Sequence, residues 1–197
     1  MNRTTARPPS AATLPVVTLV ALLAACPLLE AATSLPFGAF EVRKEIEISG
    51  TPVEIYDAFT KETLNWWDQF HSVKPKDLYF EARPGGGFIE IFDDEGNGAL
   101  HGTVIFAQRG RRLRWTGPMG YSGMALEMVH SLDLDVSDRG GTRLVLTVRG
   151  VGQLEPSWAE SIDRVWDHFL VERFKPYMEG KYWDQNNPGR KPQGESD

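Results

Sequence analysis

Cysteine is all but missing from this chain: Cys26 is the only one among 197 residues, which excludes an intrachain disulfide. Histidine is scarce as well. His71, His101, His130 and His168 are widely spread, and none stands with another at helical ligand spacing, so no metal site and no cofactor are expected. Positive charge is short, with 21 Lys and Arg against 27 Asp and Glu and a formal net charge of −6. Nucleic-acid binding rests on neutralising phosphates, and this balance excludes it. The one basic patch, Arg109, Arg111, Arg112 and Arg114 around Gly110, reads as a hairpin turn and the solvated face of its strand. A nucleophile elbow and a phosphate-cradling glycine loop before a helix are both lacking. The uncharged apolar run Leu14 to Ala25 is too short to span a bilayer comfortably.

That run follows Arg3 and Arg7, and a positive start before a short apolar stretch is the pattern of a signal peptide over residues 1–25. It ends in Leu23-Ala24-Ala25-Cys26, which resembles the lipobox of bacterial lipoproteins, where the thiol after the cut takes the lipid. The alternative is ordinary signal cleavage near Ala32 to Ser34, with Cys26 discarded. Either way the expected location is outside the cytoplasm, in a bacterial periplasm or on a membrane as a lipoprotein anchored through Cys26. Cleavage before Cys26 removes two arginines and no acid, taking the formal charge from −6 to −8. What is left is enough for one domain with a real core.

Residues 26–39 are small, apolar and broken by proline, the composition of a spacer, so a domain is expected over 40–180. Val42, Lys44, Ile46 and Ile48 alternate with charged residues as in a half-buried strand. Thr51, Pro52 and Glu54 then form a helix start, with N-cap, N1 proline and capping-box acid, and a second short helix runs from Glu62 to Trp67. Strands follow over 78–82, 88–92, 99–108 and 112–116, and Leu126 to Val136 with Thr142 to Val151 forms a long hairpin. The acidic turn Asp93 to Gly98 lacks the ligand spacing of a calcium loop and reads as solvent-exposed. From Pro156 to Glu179, Trp158, Ile162, Val165, Trp166, Phe169, Leu170, Phe174 and Tyr177 recur at helical spacing, so an aromatic stripe must be buried against the strands. The polar, broken residues 181–197 read as a disordered tail.

The expected class is therefore α+β: a curved antiparallel sheet of six to seven strands around a long C-terminal helix, with two short helices after the first strand. This order, together with Trp66-Trp67-Asp68, Phe80-Glu81-Ala82-Arg83-Pro84-Gly85-Gly86, Gly102-Thr103-Val104 and Arg111-Arg112-Leu113, resembles the helix-grip fold of the SRPBCC (START-like) superfamily. The wording of those segments is similar to the branch related to the activator of the Hsp90 ATPase. The resemblance implies a hydrophobic cavity between helix and sheet. Members bind apolar small molecules, and a few are cyclases or hydrolases, so the fold alone leaves function open. The secretion signal is at odds with a cytosolic chaperone role.

Alternation along 126–136 places Leu126, Met128, His130, Leu132, Leu134 and Val136 on one face. His130 is then the one ionisable group on an apolar face, held neutral by burial: either a polar anchor or general base for a ligand, or a core histidine with a protein partner. Glu90 shares a face with Phe88 and Phe92, and it points inward unless Ile89 and Ile91 do. The expected cavity wall comprises Trp66, Trp67, Phe70, Phe88, Trp115, Met128, His130, Trp158, Ile162, Trp166 and Phe169, with Met119 and Tyr121 in a lid over 117–123. Arg173, in line with the helix stripe, is expected either to hold a ligand head group at the rim or to form a surface ion pair with Glu172 or Glu179. The expected partner is a hydrophobic small molecule. The alternatives are a cyclase- or hydrolase-like enzyme using His130, with Glu90 or Tyr121 assisting, and a protein-interaction module of the chaperone-activator kind.

Overall fold

A computed structural model describes residues 34–180; the export segment, Cys26, most of the spacer and the tail over 181–197 lie outside the described residues. Strand β1 (Gly38–Ile48) starts two residues ahead of the expected Phe40, because Gly38 and Ala39 already pair with the far end of the last strand. The chain then forms α1 (Pro52–Lys61), α2 (Thr63–Trp66), β2 (Asp77–Phe80), β3 (Gly87–Ile91), β4 (Gly98–Gln108) and β5 (Arg112–Thr116). A 3-10 turn at Met119–Tyr121 leads into the hairpin β6 (Leu126–Val136) and β7 (Thr142–Gly152). All pairings are antiparallel, in the order β1-β7-β6-β5-β4-β3-β2, and the architecture is a helix-grip α+β fold.

The start of α1 follows from local chemistry. Thr51 Oγ1 accepts the Glu54 amide at 3.3 Å, and the Glu54 carboxylate accepts the Thr51 amide at 2.7 Å, so two amides without helical partners are satisfied reciprocally.

The terminal helix is continuous but not uniform. It runs as α3 (Trp158–Asp167), a π-helical segment (His168–Phe174) and α4 (Lys175–Met178). The wider π turn lets Phe169, Leu170 and Phe174 all face inward, which a strict α-helix would not manage at that spacing. Lys44 in β1 holds Asp163 at 2.7 Å and Asp167 at 2.8 Å, fixing α3 against the sheet edge. Behind the helix, Trp66 and Phe174 lie 4.7 Å apart, centroid to centroid, and Phe59 meets both.

One face assignment is corrected. Val136 was expected inward, yet it is 76% exposed, because the end of the β6–β7 hairpin overhangs the core.

Two β-bulges shape the sheet. One lies in β4 between Val104 and Phe106; the other interrupts the β3–β4 pairing, where Phe88 opposes Gly102 and Ile89 opposes Leu100. The second leaves His101 as the unpaired residue. A bulge bends its strand and re-aims a side chain, and here it turns His101 inward to near-complete burial.

Candidate functional site

Between the terminal helix and the inner face of the sheet lies a cavity of about 250 Å³. Trp67 and Phe70 approach from the segment after α2, Met119, Gly120 and Tyr121 from the 3-10 turn, Met128 and His130 from β6, and Ile162, Val165, Trp166 and Phe169 from the terminal helix. Exposed Gln69, His71 and Gly120 mark its mouth, and buried Met128 and His130 its floor. Trp67 stacks on Phe169 with centroids 3.6 Å apart, which ties the α2 segment to the helix along one wall.

Of the residues expected to wall the cavity, Trp67, Phe70, Met119, Tyr121, Met128, His130, Ile162, Trp166 and Phe169 come together there. Trp66 does not: α2 turns it away from the cavity into the core behind, against Phe59 and Phe174. Phe88 stacks on Phe80 at 4.1 Å and supports Trp67 from behind. Trp115 lies beneath His130, stacked at 4.7 Å and 5°. Trp158 packs on Tyr121 at 4.7 Å, so it braces the lid from outside the lining.

Arg173 is the larger correction. Its Nε donates to Asp68 at 2.5 Å, and Asp68 also meets His168 Nε2 at 2.8 Å, while Arg173 stands outside the cavity lining. The loop after α2 supplies the acid for this contact, where a ligand head group or a neighbouring helix glutamate was expected. Spacing along a helix cannot show an acid about a hundred residues away in sequence.

Glu90 faces inward, settling the choice between Phe88 and Ile89 in favour of the phenylalanine face. It is fully buried, and its carboxylate accepts the amides of His71 (3.1 Å) and Ser72 (3.0 Å) and the Ser72 hydroxyl (3.2 Å), and meets His101 Nε2 at 2.9 Å. Burial pushes its pKa up, but the Ser72 and His71 amides and the His101 ring outweigh this and leave it below the ordinary carboxylate value. Burial pushes the His101 imidazole down, and the bonds to Glu90 and the Met119 backbone only partly offset that. The His71 ring lies flat on His101, with centroids 5.1 Å apart. His101 therefore links β3, β4 and the lid turn. Sequence reasoning missed it because regular alternation cannot locate a bulge. Gly102 was the one signal: a Cβ there would sit 2.8 Å from the Thr116 carbonyl oxygen, so the strands approach closely beside the bulge.

The lid is held by unusual backbone. Met119 has φ +52°, a left-handed conformation that costs a side-chain-bearing residue energy. The conformation places its sulfur 3.3 Å from Trp115 Nε1, which donates to it.

His130 is the chemical centre of the floor. It is fully buried, and neither ring nitrogen has a hydrogen-bond partner among the described residues. Burial alone takes its pKa down to about 3, so the ring is neutral, with one donor and one acceptor nitrogen. Among the described residues no group of three His, Cys, Asp or Glu side chains could hold a metal ion.

No protein-family model matches the chain, and no curated protein matches it in sequence. Solved structures do match in fold. An uncharacterised protein from Rhizobium leguminosarum superposes with a TM-score of 0.55 at 15% identity, over 75% of this chain and 99% of that one. A protein from Chromobacterium violaceum gives 0.51 at 20% identity, over 71% and 96%. The Aha1 dimer from Colwellia psychrerythraea gives 0.50 at 19% identity, over 73% and 99%. At such identities the likeness reaches the architecture and stops there. What this chain shares with these proteins is the helix-grip α+β fold.

Proposed function

We propose that the protein binds a hydrophobic small molecule in the cavity between its terminal helix and its sheet, as an exported or lipid-anchored protein of the SRPBCC type. The observation that carries this reading is the enclosed aromatic and methionine lining around about 250 Å³ of space, with few polar groups converging on it. Binding fits the geometry better than proton transfer does. A general base works best with a pKa near the operating pH. The His130 imidazole, near 3, is far below that, and Glu90 is occupied by four protein donors.

Native mass spectrometry with organic extraction of the mature protein, purified from its own cell envelope, tests the reading. A co-purifying apolar molecule supports it. An apo mass, together with no quenching of cavity tryptophan fluorescence by a panel of apolar compounds, overturns it. Membrane release of a Cys26→Ser variant tests the anchor separately.

A further inference from the structure

The floor of the cavity is not uniformly greasy, and its polarity narrows the class of molecule it fits. His130 is 0% exposed, with both ring nitrogens unpaired among the described residues. Its ring plane is set by the stack on Trp115 and by Trp166 at 5.6 Å, so the imidazole cannot swing to another partner without breaking that packing. A buried polar group without a partner is costly, and in native structures such a group asks for an explanation. His101, on the same lining, is committed to Glu90 and to the Met119 backbone and is no substitute partner.

We propose that the bound molecule is a small, flat, neutral aromatic alcohol or phenol whose hydroxyl sits at His130. The proposal rests on the cavity being a binding site at all. A hydroxyl both donates and accepts, matching the one donor and one acceptor of a neutral imidazole. A carboxylate or phosphate does not fit, because no lysine, arginine, aspartate or glutamate among the described residues lines the cavity and a charge there would be buried uncompensated. Size points the same way. The volume of about 250 Å³ exceeds the roughly 150 Å³ that holds benzene and falls short of the roughly 300 Å³ at which drug-sized sites begin. A bicyclic ring fills it, and Trp67, Trp166 and Phe169 offer flat faces for one.

The test compares 2-naphthol, naphthalene and 2-naphthoate at pH 7, by tryptophan quenching and calorimetry, on wild type and on His130→Leu. In wild type, 2-naphthol is expected to bind about tenfold more tightly than naphthalene, with 2-naphthoate weakest, and His130→Leu is expected to abolish the naphthol preference. Transfer from water alone favours the plain hydrocarbon, so the expected order runs against simple greasiness. Imidazole 15N resonances of wild type supply a readout that needs no variant: naphthol should shift the His130 nitrogens and naphthalene should leave them in place. Naphthalene binding as tightly as naphthol, or naphthol leaving the His130 nitrogens unmoved, overturns this inference while the cavity stands as a binding site. If none of the three binds, the binding-site reading fails, and this one with it.

Discussion

Acidification probes the burial of His130 without any knowledge of a ligand. Its folded pKa lies near 3, against an ordinary 6.5, so between those values the unfolded chain binds the proton and the folded chain refuses it. The sign follows directly: stability is complete above pH 6.5 and drains away as the pH falls toward 3. At about 1.4 kcal/mol for each pH unit in that window, the loss is about 3 kcal/mol by pH 4 and on the order of 5 kcal/mol by pH 3. Carboxylates such as Glu90, whose folded pKa is lowered, lose their stabilising effect in the lower part of the same range, so the quantity to measure is a difference. Urea denaturation of wild type and His130→Leu at pH 7 and pH 4 provides it. Leucine leaves no nitrogens unpaired, which relieves about 1–3 kcal/mol, but it gives up the Trp115 stack, worth about 0.5–1.5 kcal/mol. The two proteins are therefore expected within about 2 kcal/mol of each other at neutral pH. At pH 4 the variant should have gained about 3 kcal/mol on wild type. A difference that stays constant within about 0.5 kcal/mol between the two pH values would show that His130 has a partner or reaches water, and the reasoning would fall.

Glu90→Ala strips an acceptor from the amides of His71 and Ser72 and from His101, and should cost about 3–5 kcal/mol in chemical denaturation, with Glu90→Gln clearly milder. Gly85 and Gly86 separate two roles of glycine. Gly85 has φ +78° and open space where a methyl group would sit, so Gly85→Ala should cost about 1–2 kcal/mol, whereas a Cβ at Gly86 would lie 2.1 Å from the Glu81 carbonyl oxygen and Gly86→Ala should cost more than that in thermal unfolding. Thr51→Ala removes half of the capping box and is expected to lower stability by about 1 kcal/mol, with faster amide exchange confined to the first turn of α1.

The fold was legible because its signals are local and repeated. Period-2 alternation in β1, β6 and β7, the Thr51-Pro52-Glu54 start and the aromatic spacing of the terminal helix each name an element, and together they leave few ways to bury one helix on one sheet. Half-legible was the cavity. His130 and Met128 could be placed inward from alternation, but Trp66, Phe88 and Trp115 could not be told from lining residues, since being buried and facing a cavity look alike in sequence. Glu90, His101 and His71 could not be assembled beforehand, because a single unpaired residue in β4 brings them together and nothing in a hydropathy pattern marks which residue that is. Arg173 and Asp68 illustrate the same limit at long range.

The π-helical segment at His168–Phe174 makes the length of the terminal helix a constrained quantity, separate from the identity of its residues. Upstream of it, Ile162 and Trp166 keep phase with the cavity; downstream, Phe174 and Tyr177 keep phase with the core beneath α1 and α2. The two halves belong to different rotational settings, and the wide turn is the joint between them. Losing one residue within the joint would restore an ordinary α-helix and turn everything beyond it by about 100°. Phe174 would then leave Phe59 and Trp66 while the cavity wall stayed in place. Conservative replacements should pass through this stretch far more readily than any single-residue insertion or deletion.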